Sequence, residues 1–402
     1  MRIVYYSPHP THDIVSDVGY STHQREMIHA LRNLGHEVIP VIIGGTDKRE
    51  FDQRATEVVS KAERFRFVKK FIPPYLWRSV KERNWWLHDE TIAGPMLEQA
   101  IKAHNPDLVY ERSEYSLKQG PLLAKKYKVK HIFEVNAPCV DEWMEFEGPS
   151  MFTPKARNIE KIKYQNSDGL CPVSSSLGGF LQSQYGLNKD RIKTITNGIN
   201  PNAVKVNDVE VERIRMELGL KDDQVVVGFV GSILKYHGVD KLIEAFARVA
   251  MERTEAILMI VGDGAMLDEL KEQATKMGIM DRCRFVGRIP HAEVFNFMML
   301  MQICVSPAHS WYGSPIKLFE YAYLGKAIIA PNQENIRDVL TNNETALFMD
   351  KGAANLSALL AQLIDSKDLR TQLGGAAKKL IADNYTWESN AARLIEFANQ
   401  IG

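Results

Sequence analysis

The sequence predicts an α/β protein made of two Rossmann-like, doubly wound parallel-sheet domains that face each other across a cleft. Short apolar strands alternate with helices almost throughout the chain, which is typical of parallel βαβ units. The alternation begins again after Pro201. A chain of 402 residues is also longer than one compact core usually accommodates.

The first half predicts strands and helices in alternation, with glycine or polar residues at the helix ends. The predicted helices cover residues 21–34, 117–127 and 175–185. The predicted strands cover residues 2–6, 37–43, 106–110, 131–135, 170–173 and 192–195. The polar segment 200–212 then serves as a linker, with the domain boundary near its start.

The second half repeats the pattern. Its predicted strands cover residues 225–230, 257–261, 284–286, 303–306, 327–330 and 346–348. In the helix after the first of them, the apolar residues recur at helical period and form one face: Leu242, Ile243, Phe246, Val249 and Ala250. Ligands of such sheets bind at the carboxyl ends of the strands, so the loops that follow the strands are the candidate site.

Composition excludes several classes of protein. Lys+Arg equals Asp+Glu at 50 each, which gives no general attraction to nucleic acid. The four cysteines are scattered, which favours a reducing compartment and disfavours a zinc cage or disulfide framework. No apolar run reaches the ~18 residues of a membrane span, and the first residues enter a strand rather than a signal peptide. A cytoplasmic protein is expected.

The stretch FVGSILKYHG (residues 229–238) is the first candidate binding loop, because a buried strand ends there in polar residues. Gly231 and Gly238 would let a ligand approach the backbone, and the helix that follows presents free N–H groups. Ser232, Lys235 and His237 would add side-chain donors. An anion such as phosphate fits this loop, although an ordinary turn with surface side chains has the same pattern.

The stretch HSWYGSPIKLFEYA (residues 309–322) is the second candidate loop. Ser314 is suited to the N-cap and Pro315 to the first helical position. Lys317 near the helix start could hold phosphates, and Glu320 one turn later could accept hydrogen bonds from a ribose diol. Together they indicate a nucleotide, while an exposed Lys–Glu pair is the structural alternative.

Two further loops complete the predicted site. VGDGAML (residues 261–267) contributes Gly262 and Asp263, but it lacks the last glycine of a dinucleotide fingerprint. FVGRIP (residues 285–290) contributes Gly287 and Arg288, whose backbone could read a base edge.

The segment of residues 61–86 has an unusual composition, with eight Lys/Arg, two acids and seven aromatic residues. Such a mixture could contact an anionic membrane surface. The alternative is a helix pair with aromatic residues packed inward and lysines in solvent.

These stretches resemble family-4 type retaining glycosyltransferases, which have the two-domain GT-B fold. In the second half, the resemblance rests on FVG, HGVDKLIEAF, IVGDG, SPIKLFEYA and GKAIIA. The segments VSSSL and TNGIN resemble the region between the family's domains. VGYS, LGHEV and FEVNAP carry a looser match in the first half.

The resemblance implies transfer of a sugar from a nucleotide-diphosphate sugar, with UDP or GDP as the nucleotide, in glycan or glycoconjugate biosynthesis. It implies no cofactor and no metal, in agreement with the absence of Asp-x-Asp from the sequence. Glu320 would bind the ribose, and the backbone of Gly313, Ser314, Pro315 and Ile316 would face sugar and pyrophosphate. Gly19 would let a first-domain loop approach the phosphates.

The resemblance also implies the domain limits. An acceptor-side domain would cover residues 1–199 and a donor domain residues 200–385. The last helix, residues 386–402, would cross back onto the first domain.

The sequence departs from the family's pattern at three places. Ser232 and His237 stand where an arginine and a lysine are usual, and Tyr312 replaces an acid. A histidine of the first domain is missing, with Glu134 and Asn136 nearby as candidates to orient the acceptor. The Ser-Pro-x-Lys motif marks a subgroup in which Lys317 replaces the lost charge, so His237 and Lys317 are the expected stabilisers of the leaving diphosphate.

Alternatives remain open at the level of sequence. A sugar-nucleotide epimerase of the same fold, or a non-catalytic nucleotide-sugar-binding protein, would show many of the same residues. The acceptor could be a glycan, a lipid-linked sugar or a small aglycone. His309, Trp311 and Tyr312 are expected to shape sugar choice.

Overall fold

The computed structural model of the protein describes residues 1–16, 19–46 and 73–401. The chain divides into two compact units: unit 1 is Met1–Thr196 together with Trp387–Gly402, and unit 2 is Asn197–Thr386. Each unit contains a parallel sheet flanked by helices, so the predicted class of two Rossmann-like α/β domains is confirmed.

Within the described residues, unit 1 is built on a five-stranded parallel sheet with the order β2-β1-β3-β4-β5. The strands are β1 (Arg2–Ser7), β2 (Glu37–Ile42), β3 (Leu108–Arg112), β4 (Lys130–Val135) and β5 (Gly169–Pro172). The first strand, RIVYYS, is buried after its first residue because helices cover both faces of the sheet.

The predicted strand at 192–195 is wrong. That segment makes one isolated bridge, between Leu170 and Ile192, and is otherwise irregular. Its neighbour β5 is four residues long and ends at Pro172, which has no backbone N–H with which to extend a ladder.

Helices surround this sheet. They are α1 (Gly19–Asn33), α2 (Pro74–His88), α3 (Gly94–His104), α4 (Gln119–Tyr127), α5 (Cys139–Phe146), α6 (Thr153–Asn166) and α7 (Ser175–Tyr185). A π-helical turn, Asp89–Ala93, joins α2 to α3. Of the aromatic and basic segment 61–86, residues 61–72 lie outside the described residues and the remainder falls largely in α2.

Unit 2 is built on a six-stranded parallel sheet with the order β11-β10-β9-β6-β7-β8. The strands are β6 (Val225–Val230), β7 (Ala256–Val261), β8 (Cys283–Gly287), β9 (Ile303–Val305), β10 (Ala327–Pro331) and β11 (Leu347–Met349). The helices are α8 (Asp208–Glu217), α9 (Val239–Ala250), α10 (Leu267–Lys276), α11 (His291–Leu300), α12 (Ile316–Tyr323), α13 (Glu334–Arg337), α14 (Leu356–Asp365) and α15 (Lys367–Asn384).

The central strand β6, VVVGFV, is buried at every position. Its alternate residues feed two hydrophobic clusters, one on each side of the sheet. Helix α9 covers one side with the apolar face that its sequence period predicts, including Leu242, Ile243 and Phe246. The core of unit 2 is therefore organised around β6, and the loop that follows this strand has a rigid base.

The last helix, α16 (Trp387–Gln400), belongs to unit 1 and packs against α1. Trp387, Leu394 and Phe397 are buried in the same hydrophobic cluster as residues of β1 and α1. Asn390 Nδ2 donates a hydrogen bond of 2.8 Å to the carbonyl oxygen of Thr196, at the end of the first stretch of unit 1. The final helix is thus part of the core of the unit in which the chain begins.

The described residues contain no helix that combines the length and hydropathy needed to cross a membrane. Cys139, Cys171, Cys283 and Cys304 are all buried and unpaired.

Leu394→Ala should destabilise unit 1 by about 2–5 kcal/mol, because it removes a fully buried side chain and leaves a cavity. Differential scanning calorimetry should show a lower transition temperature for unit 1 and an unchanged transition temperature for unit 2. Glu396→Ala, an exposed position of the same helix, is the control and should alter neither transition. If both variants lowered the transition temperature equally, the buried Leu394 side chain would not be what stabilises unit 1.

Candidate active site

In unit 2, the end of β6 and the start of α12 lie against each other. Val230 N donates a 2.8 Å hydrogen bond to the Tyr321 hydroxyl, which ties α12 to the strand. The next residue, Gly231, has a φ of 141°, and a Cβ added to it would lie 2.7 Å from Lys317 Nζ. The positive φ favours glycine at position 231, and the lysine side chain lies beside it, so the two loops predicted from sequence meet here.

A group of buried polar atoms without hydrogen-bond partners among the described residues surrounds this contact. Lys317 Nζ lies 4.4 Å from the centre of the Phe229 ring and has no such partner. The others are His237 Nδ1, both ring nitrogens of His309, and Ser306 Oγ. A buried donor without a partner costs about 1–3 kcal/mol. The arrangement is therefore suited to a ligand rich in acceptor oxygens.

The charges of this group follow from its burial. Burial lowers the pKa of Lys317 to about 8, against the opposing effect of Glu320. Burial, then the nearby ammonium of Lys317, lowers the pKa of His237 to about 4. Burial, then the ammonium of Lys317 and then His237, lowers the pKa of His309 to about 3. Near neutral pH the lysine is the cation of the site, and the two imidazoles are neutral.

The loop after β7 packs directly on the loop after β6. A Cβ added to Gly262 would lie 1.9 Å from the Gly231 carbonyl oxygen, and one added to Gly264 would lie 2.3 Å from that of Ile233. Gly262 also has a φ of 141°. These glycines are required by close backbone packing between the two loops. Asp263 is exposed, and its carboxylate accepts a 2.7 Å hydrogen bond from Gly264 N.

The predicted start of α12 needs a correction. The helix begins at Ile316, with Pro315 at the N-cap position and no side-chain cap. Ser314 is therefore not the N-cap, because its hydroxyl accepts a 3.0 Å hydrogen bond from Asn197 N instead. Asn335 holds the same loop, since its Nδ2 donates to the carbonyl oxygens of Ser310 (2.9 Å) and Gly313 (2.8 Å).

Glu320 lies one turn into α12 and is buried, with a relative exposure of 6%. Its Oε1 is 3.2 Å from His291 Nε2, at the first residue of α11. Sequence reasoning did not identify His291, although it directly follows FVGRIP, the loop predicted to read a base. The pair places an imidazole beside the carboxylate predicted to bind ribose.

The remaining predicted residues of unit 2 differ in how exposed their side chains are. The side chains of Ser232, Lys235 and Arg288 are exposed, on loops that follow β6 and β8, and Tyr312 is buried in the loop before α12. Gly287 ends β8 with a φ of 83°. All lie on loops at the carboxyl edge of the sheet of unit 2, whereas Gly19, Glu134 and Asn136 belong to unit 1.

Unit 1 contains a cavity of about 410 Å³ at the carboxyl ends of β1, β3 and β4. Asn136 lines this cavity. The other lining residues come from the loops after the three strands and from α2 and α5: His9, His12, Trp85, Arg112, Ser113, Glu114, Tyr115, Ala137, Cys139, Glu142, Trp143, Phe146 and Glu147. Its volume falls within the range of small-molecule sites. Sequence reasoning identified only Asn136 here, although HPTHD and ERSE follow predicted strands.

Glu134 is buried in a network of hydrogen bonds and does not line this cavity. Its Oε1 accepts hydrogen bonds from Arg112 Nη1 (2.8 Å) and Asn136 Nδ2 (2.7 Å), and its Oε2 lies 2.8 Å from His23 Nε2. Burial opposes ionisation, but His23 and Arg112 outweigh it and lower the pKa of Glu134 to about 2. The carboxylate therefore fixes the orientation of Asn136.

Among the described residues, His9, His12 and Glu114 form one group with ligand atoms close enough for a metal ion. The two imidazole rings are stacked, with centroids 3.6 Å apart and planes at 11°. One ion cannot lie in the planes of two rings stacked in this way, as coordination by both would require. Glu114 instead accepts a 2.9 Å hydrogen bond from His12 Nδ1, and we assign no metal site.

Two family models match the chain: "Glycosyltransferase Family 4" over residues 19–203 and "Glycosyl transferases group 1" over residues 210–380. An uncharacterised glycosyltransferase of Methanocaldococcus jannaschii is 23% identical over 252 residues, which are 61% of this chain and 64% of that protein. The match therefore spans less than two thirds of that relative's length.

A second relative matches over more of its length. The D-inositol 3-phosphate glycosyltransferase of Corynebacterium glutamicum is 24% identical over 353 residues, which are 85% of this chain and 84% of that protein. The crystal structure of Anabaena Alr3699/HepE in complex with UDP has a TM-score of 0.72 and 15% identity. It covers 98% of this chain and 99% of that one, a likeness of fold.

Lys317→Met should weaken binding of inorganic pyrophosphate about tenfold or more near neutral pH, because it removes a charged donor. The ratio of the two dissociation constants should fall toward one as pH rises about one unit above the pKa of about 8. Isothermal titration calorimetry of both proteins at each pH cancels the ligand's own ionisation.

Lys276→Met is the matched control, since that lysine is exposed at the end of α10 away from the loops. It should leave both affinity and pH dependence unchanged. A constant ratio for Lys317→Met at every pH would contradict the assignment of the charge to this lysine.

Proposed function

Because the chain belongs to the glycosyltransferases of the family-4 type with the GT-B fold, we propose that it transfers a hexose from a nucleotide-diphosphate sugar to an acceptor hydroxyl with retention of configuration. The observation that carries this proposal is the buried ammonium of Lys317 against Gly231, unpaired among the described residues. The diphosphate of the donor would supply its missing partner. UDP is the first nucleotide to test, since the Anabaena structure contains it.

The donor would lie across the loops of unit 2. Glu320, beside His291, would accept hydrogen bonds from the ribose hydroxyls. The backbone of Gly313 to Ile316 and the side chain of Tyr312 would face the sugar. Gly287 and Arg288 would lie near the base. Ser232 and Lys235, whose side chains are exposed, would contact the outer oxygens of the phosphates.

The chemical step depends on charge that grows on the leaving diphosphate as the anomeric carbon becomes cation-like. Donors fixed in advance at that oxygen lower the barrier, and the loss of one typically costs about 10²–10³ in rate. Lys317 and His237 would be these donors. They lie close enough for the ammonium to lower the pKa of the imidazole, and both have buried nitrogens without partners in the described part of the chain.

Retention needs no dedicated protein base in this scheme, because the leaving phosphate can take the proton of the acceptor hydroxyl. The fixed ammonium of Lys317 on the diphosphate would also replace the role that a metal has in other sugar transferases, and the sequence has no Asp-x-Asp. We therefore propose metal-independent transfer. Activity that survives exhaustive chelation would support it, and activity restored only by a divalent cation would refute it.

The acceptor would bind to unit 1. Asn136 lines the cavity there, and Glu134 holds it through a 2.7 Å hydrogen bond, so the two residues would orient the acceptor together. Gly19 begins α1 and has no atom within 4 Å of an added Cβ, which leaves space for a phosphate to approach.

We also propose that α2 contacts the cytoplasmic face of a membrane. Its side chains include the exposed apolar residues Tyr75, Leu76, Val80 and Leu87, together with Arg78, Lys81 and Arg83. Arg83 is exposed, whereas Arg78 donates to the carbonyl oxygen of Pro149 and Lys81 is paired with Glu147. Exposed apolar side chains with a basic residue among them are suited to an anionic lipid surface. Sedimentation with vesicles containing phosphatidylserine would test this contact.

Glu320→Gln should weaken UDP binding about tenfold or more, because a ribose loses a charged acceptor. Isothermal titration calorimetry measures the dissociation constant of UDP for the wild type and the variant. The exposed Glu272→Gln on α10 makes the same charge change and should have no effect. Unchanged affinity in Glu320→Gln would remove the ribose assignment.

The double variant Lys317→Met, His237→Gln should reduce turnover of a UDP-sugar more than its affinity, since the charge on the leaving oxygen develops in the transition state. Release of UDP, measured with and without acceptors, separates the alternatives. Transfer with acceptor supports the proposal. A sugar epimer without acceptor would indicate an epimerase, and binding without turnover would indicate a non-catalytic protein.

A further inference from the structure

The cavity of unit 1 has an aromatic wall. Trp143 and Tyr115 are stacked, with ring centroids 4.5 Å apart and planes at 12°, and the Tyr115 hydroxyl donates a hydrogen bond to the buried carboxylate of Glu82. Trp85 meets His9 edge to face at 4.7 Å on another side of the cavity. Tyr115 and Trp143 cover one face of each other, and Lys81 Nζ lies 5.7 Å from the centre of the Trp143 ring. The remaining aromatic surface that lines the cavity is apolar and rigid, which suits the C–H groups of a sugar or cyclitol ring.

One of these rings also carries a donor without a partner. Trp143 Nε1 is buried and makes no hydrogen bond among the described residues. A buried indole N–H usually has an acceptor. A ring hydroxyl of a ligand stacked beside the wall would supply one.

The charged groups that line the cavity are mainly carboxylates. They are Glu114, Glu142 and Glu147. Glu114 is ionised: burial alone would raise its pKa, but His12, His9 and Arg112 outweigh it and lower the value to about 2. Carboxylates accept hydrogen bonds from hydroxyl and ammonium groups and repel phosphate.

The cations nearby are held by carboxylates. Lys81 Nζ lies 2.9 and 2.8 Å from the two carboxylate oxygens of Glu147. Arg112 Nη1 donates to Glu134 at 2.8 Å, and its Nε lies 3.5 Å from Glu114. Arg112 Nε makes no hydrogen bond within the described part of the chain, but the carboxylate of Glu114 lies beside it, so a phosphate would have to compete with carboxylates for either cation. This contrasts with unit 2, where the lysine at Gly231 has no such partner among the described residues.

We propose that the acceptor ring bound in this cavity is an uncharged or amine-bearing sugar or cyclitol, and that a ring carrying phosphate is rejected. This inference rests on the proposed function, since it assigns the acceptor class of the same reaction. The aromatic wall would hold the ring face, Trp143 and Asn136 would donate to its hydroxyls, and the carboxylates would accept from hydroxyl or ammonium groups.

Three probes with one ring and different charge test the proposal: glucosamine, glucose and glucose 6-phosphate. Ligand-observed NMR titration of the whole chain, with saturating UDP present to occupy the proposed phosphate site of unit 2, should give glucosamine the tightest binding, glucose the next and glucose 6-phosphate the weakest, with about tenfold or more between the first and last. Tightest binding of glucose 6-phosphate would overturn the proposal, and so would the absence of saturable binding of all three.

Variants connect the result to the cavity. Trp143→Ala should weaken the binding of glucosamine and of glucose about tenfold. Trp143→Phe should weaken it less, and it replaces the alanine variant in the test if that variant is poorly folded. Glu147→Gln should release Lys81 from its ion pair, and the affinity for glucose 6-phosphate should rise relative to the affinity for glucose. Glu145→Gln, an exposed position of α5 outside the cavity, is the matched control and should change nothing.

If the wild type, both Trp143 variants and Glu147→Gln bind the three sugars with equal affinity, the sugars do not bind in this cavity and the proposal is overturned. UDP titrations of the same preparations distinguish the two levels of failure. If UDP binds and Glu320→Gln weakens it, an unexpected sugar order refutes the acceptor class alone. If UDP does not bind, the proposed function itself fails.

Discussion

The contact between the ammonium of Lys317 and the backbone of Gly231 is the constraint on which the rest of unit 2 depends. A cation at the buried end of β6, without a carboxylate partner among the described residues, is costly, and the fold maintains it through several fixed neighbours. Tyr321 ties α12 to β6, and Asn335 holds the loop before α12. The rigid hydrophobic core on both sides of β6 keeps these elements from relaxing around the charge.

We propose that this arrangement compensates for the departures of the sequence from the pattern of its family. The positions of the usual arginine and lysine hold Ser232 and His237, and a lysine from a different element reaches the same strand end. In the proposed function, the positive charge on the diphosphate would therefore come from α12 and not from the loop after β6. The Lys317 side chain comes from α12, and its Nζ lies 4.4 Å from the centre of the Phe229 ring and beside Gly231.

The sequence predicted the fold well because its strands are short, apolar and regularly spaced. Strand β6 and helix α7 were predicted with their observed limits, and the loops after β6 and β9 were correctly identified as meeting near one strand end. The strand predicted at 192–195 failed because Pro172 ends its neighbour, a constraint that lies in another segment of the chain. Ser314 was assigned to the N-cap from local preference, whereas Asn197, far away in sequence, takes its hydroxyl.

The residues of the site that sequence did not identify are those whose role comes from tertiary contacts. His291 becomes relevant only because α11 starts beside Glu320, and Trp143 only because Tyr115 stacks on it. The saturated environment of Glu134 could not be predicted either, because its partners Arg112 and His23 come from two other elements.

The placement of α16 has a consequence for how the polypeptide is made. Unit 2 is encoded without interruption, so all of it has been synthesised once Thr386 has left the ribosome. Unit 1 lacks Trp387, Leu394 and Phe397 until the segment that follows unit 2 has been synthesised, and until then α1 lacks the apolar side chains that pack on it. The unit whose sheet is synthesised before unit 2 therefore completes its core after unit 2, and transiently exposed apolar surface of this kind is prone to aggregation.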